Sequence, residues 1–171
     1  ATEAVTVVAP LRRPGIETCP ASLGPLDVPG SHGIPVTADI GLDSVNPDDF
    51  EMIVLPGGLP GADHLKADGR VIALLRTFAG AGRYTAAICA APGVLAHAGL
   101  LEGRTATSYP GFLRADSAPG LQLSEDPVVI DGKVVTSRGP GTAMEFGLAL
   151  IGLLDGPEAA ARVKERLQLP R

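Results

Sequence analysis

The chain has 171 residues, 45% of them hydrophobic and 19% charged, with a net charge of −5 at neutral pH. That excludes a disordered chain, which buries too little apolar surface, and with no Lys/Arg run it argues against nucleic acid as a principal partner. The length fits one domain, taken as residues 1–171, whose core must be packed by Val, Leu, Ile and Ala because aromatic residues make up only 4% and tryptophan is absent.

No apolar run reaches the ~18 residues of a membrane span, and no signal peptide is evident. The opening "ATEAVTVV", without methionine, reads as processed or incomplete. Cys19 and Cys89 are too few and too far apart for a disulfide framework or a metal pair. A soluble protein of a reducing compartment, the cytoplasm, is expected.

In chain order, "EAVTVVAPLRRPGI" (3–16) has helical apolar spacing despite Pro10 inside it, at a cost of roughly 3 kcal/mol. Cys19 in "IETCPAS" reads as a strand filler. "FEMIVLPGG" (50–58) is an unbroken apolar run closed by Pro-Gly-Gly, the pattern of a parallel strand covered on both faces. "RVIALLRTFA" (70–79) places Val71, Leu74, Leu75 and Phe78 on one helical face. "YTAAIC" (84–89) is a second buried strand, and "AAPGVLAHAGLL" after it is a helix with Pro92 in its first turn. "PVVIDGKVVTS" (127–137) is a hairpin signalled by Asp131-Gly132. "GPGTAMEFGLALIGLLDG" opens with Pro and ends with Gly, the helix asymmetry. Strand–turn–helix repetition implies an α/β sandwich with a mostly parallel sheet, whose chemistry sits at the carboxyl ends of the strands. Gly57-Gly58 and Cys89 both fall at such ends.

Cys89 has two readings. Free cysteines are commonly buried and inert. At a sharp strand-to-helix bend, however, a thiol projects above the sheet edge beside free N–H groups and the positive end of a helix dipole, which favour thiolate and supply oxyanion donors, the Ala90 N–H first among them. Gly57 and Gly58 likewise either make a simple turn or bring the Gly58 N–H to the same point. Glu3, read alone, is a common acidic residue of a first helical turn.

"AAICAAP", "VLPGG" and "TSRGPGT…EF", in this order and spacing, resemble the DJ-one/PfpI superfamily, a class I glutamine amidotransferase-like group. The likeness is greatest to its DJ-one branch of Parkinsonism-associated protein deglycases and bacterial chaperone relatives, and runs from Glu3 to about Leu167. It implies a flavodoxin-like three-layer sandwich with helices on both faces of the sheet. A strand that the family places before the Glu-bearing helix is expected to be missing, leaving its neighbours without ladder partners. The resemblance also implies that Cys89 is the reactive thiol, that Gly58 and Ala90 give oxyanion-type N–H groups, and that Glu3 is a buried protonated acid donating to the thiolate. No cofactor or metal is expected, and a homodimer is, with Arg12 and Arg13 as interface candidates.

One position departs from the family pattern. Where many members carry a histidine facing the cysteine, "ATSYPGF" has Tyr109. His32, His64 and His97 lie elsewhere, His97 reading as a satisfied helix residue. A Cys–His dyad, and with it peptidase activity, is therefore not expected. Tyr109 is read as a hydrogen-bond donor to substrate or as pocket wall, with Gly57 as another pocket candidate. Arg138 either holds a carboxylate or phosphate or ties a loop or dimer interface. The resemblance thus implies a cysteine-dependent enzyme acting on methylglyoxal, a similar small aldehyde, or its adducts with proteins, of glyoxalase or deglycase type. The rival expectation is a redox-sensing stress chaperone, bound to unfolded or glycated proteins and switched by oxidation of Cys89.

Overall fold

A computed structural model describes residues 1–169, and of Ser31 only the backbone. Helix α1 (Thr2–Arg12) comes first, followed by four short strands, β1 (Ala21–Ser22), β2 (Asp27–Pro29), β3 (Pro35–Thr37) and β4 (Ile40–Gly41). Next come β5 (Met52–Leu55), α2 (Gly61–Ala67), α3 (Gly69–Gly80), β6 (Tyr84–Ile88) and α4 (Pro92–His97). The remainder is β7 (Thr105–Ala106), β8 (Gln122–Leu123), β9 (Val128–Asp131), β10 (Val134–Ser137), α5 (Ala143–Asp155) and α6 (Pro157–Arg166).

The main sheet has the order β5-β6-β10-β9. β5 and β10 flank β6 in parallel, and β9 returns antiparallel along β10. Pairs β1–β4 and β7–β8 are parallel and β2–β3 antiparallel, each a separate two-stranded sheet. The α/β class expected from the chain pattern is present, with apolar clusters on both faces of the sheet. Because side chains alternate along a strand, Ala87 of β6 packs with Leu55, Val71, Leu75 and Leu95. Ala86 and Ile88 pack on the opposite side with Val7, Leu11, Phe146 and Leu150. Three layers result: α1, α5 and α6 on one face, α3 and α4 on the other.

Several local expectations change. β5 is paired only with β6, so Met52, Ile53 and Val54 are half-buried rather than covered on both faces as their unbroken apolar run predicts. Cys19 lies in irregular chain before β1, half-buried, not in a strand. Leu74 is half-buried, while Val71, Leu75 and Phe78 form the buried stripe of α3. The hairpin turns on Gly132-Lys133, since Asp131 pairs with Val134. Gly132 takes the positive φ of +60° that this tight turn requires. Asp131 instead closes the last rung, and its carboxylate accepts from the Thr105 N–H at 2.8 Å and from Arg104 at 3.1 Å.

Pro10 is tolerated because α1 ends only two residues later and its face is buried against α5. Gly147 of α5 faces α1, a Cβ there falling in ordinary contact 3.5 Å from the Thr6 carbonyl. That carbonyl is the group Pro10 leaves without its helical donor. Docking α1 on α5 brings its first turn, and Glu3 with it, to the carboxyl end of the sheet.

Candidate active site

At the end of β6 the chain bends sharply. Cys89 has φ +65°, the left-handed region that a side chain rarely adopts. Both its backbone groups are held: its N–H donates to the Ser137 carbonyl and its carbonyl accepts from the Tyr109 N–H, each at 2.9 Å. Ala91 N–H then closes the turn on the Ile88 carbonyl at 3.1 Å, and α4 begins at Pro92. A strained residue so firmly pinned is the arrangement that lifts a side chain out of the sheet edge.

The second element is the turn after β5. A Cβ at Gly57 would lie 2.6 Å from both Cys89 Cβ and the Ile88 carbonyl, so only glycine lets the two strand ends pass this closely. Gly58, at φ +88°, turns its N–H toward the thiol. The N–H groups of Gly58 and Ala90, the two donors read from the sequence, lie close enough to Sγ to lower its titration.

Glu3 supplies the third. It is buried at 6% exposure, its Oε2 accepting the Gly57 N–H at 3.0 Å. Oε1 has no hydrogen-bond partner among the described residues, and the carboxyl lies close enough to the Cys89 thiol to raise its titration. A lone acidic residue capping a surface helix would face water. This one does not.

The electrostatic balance differs from the sequence expectation. Burial first, and then the hydrogen bond and negative charge of an ionised Glu3, push the Cys89 thiol up to about 11 from 9.0. The N–H groups of Gly58 and Ala90 pull it down but do not prevail. The helix dipole invoked for thiolate is weak because α4 has only six residues and starts three positions after the sulfur. Charge on the carboxyl therefore opposes a thiolate at Cys89.

The other candidates are placed less centrally. Tyr109 lies against the site through its backbone, with its ring 48% exposed. Arg138 follows β10, but its guanidinium donates to the Glu125 carbonyl at 2.9 Å, which makes it a loop tie. Arg12 pairs with Asp39 at 2.5 Å and with the Thr18 carbonyl at 2.7 Å. His97 is exposed in the last turn of α4, lining a hollow of about 210 Å³. Sequence reading missed Thr142 and Ser137. The Thr142 hydroxyl meets both the N–H and the carbonyl of Gly139, and lies 2.7 Å from the Ser137 hydroxyl, fixing the loop after β10. The run "TSRGPGT" carries these hydroxyls, and spacing alone does not reveal that they meet.

A cleft of about 420 Å³ lies at the other end of the sheet, among Arg83, Thr85, Arg104 and Lys133. There Arg83 and Arg104 already pair with Asp48 and Asp131, and α3 and α4 end near it. Basic residues at helix carboxyl termini are ordinary charge complementarity. The chemically organised locus is instead the strand end at Cys89.

Residues 1–153 match the model of the DJ-1/PfpI family. The chain belongs to that family. Protein DJ-1 homolog A of Arabidopsis thaliana is 43% identical over 169 residues, which are 98% of this chain and 43% of that protein. The chain thus spans less than half the length of that plant relative. The protein named Deglycase PfpI of Pyrococcus furiosus is 35% identical over 144 residues, 84% of this chain and 86% of its own. The solved structure of oxidized Toxoplasma gondii DJ-1 superposes with a TM-score of 0.90 at 36% identity, covering 99% of this chain and 92% of that one. Among the described residues no helix is long and apolar enough to cross a membrane.

Proposed function

We propose that Cys89 is a nucleophile toward small reactive carbonyls, with methylglyoxal as model substrate and lactate as product. One observation carries the reading: a left-handed Cys89 meets the Glu3 carboxyl and the N–H groups of Gly58 and Ala90 at a single point. The existence of relatives named deglycase supports carbonyl chemistry, and adducts of the same aldehyde with proteins are the second substrate class.

In this scheme Glu3, through its free Oε1, takes the thiol proton. That transfer also removes the carboxylate charge that opposes a thiolate. Sγ adds to the aldehyde carbon, and the oxyanion that develops is received by the two N–H groups. Glu3 returns the proton to it, leaving a hemithioacetal. The carboxylate then removes the proton on that carbon to give an enediolate whose charge rests on the former ketone oxygen. The neighbouring hydroxyl passes its proton to that oxygen, and Glu3 returns its proton to the former ketone carbon, leaving a lactoyl thioester. Water cleaves the thioester to lactate and regenerates the thiol. One carbon is oxidised as its neighbour is reduced, so no external oxidant enters. Lactate formation by the wild type, lost at least ~10³-fold in Cys89→Ser, is the expected result. Lactate formation undiminished in that variant, or absent from the wild type, refutes the reading.

The Toxoplasma relative, solved in an oxidized state, favours a second reading. On it Cys89 passes to sulfenic and then sulfinic acid and governs binding of unfolded or glycated proteins, without turnover. Mass spectrometry after mild peroxide separates the two: stoichiometric oxidation confined to Cys89 in a protein that makes no lactate supports the sensor.

A further inference from the structure

Large apolar side chains are exposed on the segments that flank Cys89. Leu59, 54% exposed, directly follows the Gly58 donor. Tyr109, whose N–H is bonded to the Cys89 carbonyl, stands beside Phe112, 39% exposed. The two rings meet edge to face, with centroids 6.0 Å apart and planes at 78°. Large apolar side chains left open to water at a reactive centre are uncompensated surface that a ligand can cover.

The Tyr109 ring has a rigid floor. A Cβ at Gly139 would fall 3.2 Å from Tyr109 Cδ2, so the ring lies directly on that glycine's backbone. Gly139 is itself clamped by Thr142, whose hydroxyl meets Ser137, and the Ser137 carbonyl holds the Cys89 N–H. Ring and thiol are thus referenced to the same strand end. Arg138, the cation next to this floor, is occupied by the Glu125 carbonyl. The rim presents a fixed aromatic face.

From this we infer that the site selects α-oxoaldehydes carrying a flat apolar group, which packs on the Tyr109–Phe112 wall, over those carrying only a methyl. The inference rests on the carbonyl reading above and names its substrate class. A flat ring added to the existing edge-to-face pair gains apolar burial and a further aromatic contact, together about a tenfold preference. Because the wall touches the non-reacting end of the substrate, the preference appears in KM rather than kcat.

The test has two arms. In the first, kcat/KM is measured for phenylglyoxal and methylglyoxal, scored as mandelate and lactate. In the second, which needs no turnover, Cys89 is alkylated by 2-bromoacetophenone and by bromoacetone. There Sγ forms a bond to the methylene carbon, bromide leaves and the thiol proton goes to solvent; rates are divided by those of N-acetylcysteine. The aryl-to-methyl ratio is expected to be about ten in both arms, to fall toward one in Tyr109→Ala, and to persist in Tyr109→Phe; Phe112→Ala is the second variant should Tyr109→Ala not fold. Turnover of both aldehydes with a ratio near one, or one that ignores these substitutions, overturns the inference and leaves the carbonyl reading standing. No turnover, with a Tyr109-dependent ratio in alkylation, overturns that reading while the wall stands. No turnover and no ratio removes both.

Discussion

Glu3→Gln is expected to lower methylglyoxal turnover by about 10²- to 10⁴-fold, the range for losing a positioned acid–base group, while Cys89 remains at least as reactive toward iodoacetamide. The two readouts separate because the substitution keeps the shape of the side chain. A glutamine oxygen can still accept the Gly57 N–H that Oε2 now holds at 3.0 Å, so the turn stays in place. What disappears is the exchangeable proton and the negative charge. After burial, the Glu3 carboxyl holds the thiol up near 11, first through hydrogen bonding and then through its charge. The sign follows: without the carboxylate the thiol titrates lower, and the thiolate fraction at any pH below its midpoint rises. Alkylation by iodoacetamide across pH, read by mass spectrometry, is therefore shifted toward lower pH in the variant, and lactate formation is not rescued. Loss of both together would mean that Glu3 merely holds the Gly57 turn.

The second large effect is expected at Gly57. In Gly57→Ala the new methyl lies 2.6 Å from Cys89 Cβ, 2.6 Å from the Ile88 carbonyl and 3.0 Å from the Ala90 nitrogen. Two of these are backbone, which has no rotamer by which to retreat. Either the turn after β5 moves away from β6, or the Cys89 bend relaxes. Both separate the Gly58 N–H from the thiol and strain the Glu3 contact. Overpacking of this kind costs about 1–3 kcal/mol, or roughly 2–4 °C in Tm per kcal/mol for a chain of this size. Turnover is expected to fall further than stability does, since a donor to the oxyanion is worth roughly 10²- to 10³-fold in kcat. Thermal unfolding alongside lactate assays checks this, and an unchanged Tm with unchanged turnover contradicts the packing described.

Much of the scaffold was legible in the chain because its signals are local. The apolar runs around Val54 and Ala86 mark parallel strands, the Gly132 turn marks a hairpin, and the Pro and Gly that flank α5 mark its ends. The bend at Cys89 was legible for the same reason, as a strand running straight into Pro92. Glu3 was not legible from residue pattern. It reaches Gly57 across 54 positions, and only family resemblance pointed to it. The half-burial of Met52, Ile53 and Val54 was missed because a run of apolar residues does not say whether a partner strand lies on each side. The rise in the thiol's titration was missed because a helix start is visible in sequence and the depth of burial is not. The run around Arg138 does not distinguish a holder of a carboxylate or phosphate from a tie for a loop or dimer interface, because the Glu125 carbonyl that accepts one of its N–H groups lies 13 positions away.

The most direct measurement is the fate of one sulfur during turnover. Wild-type protein supplied with methylglyoxal is quenched in acid and its Cys89 peptide weighed. A lactoyl thioester on Cys89, forming and decaying fast enough to carry the observed lactate, is the predicted result. Lactate accumulating while that sulfur stays unmodified, at a rate Cys89→Ser shares, would contradict the account.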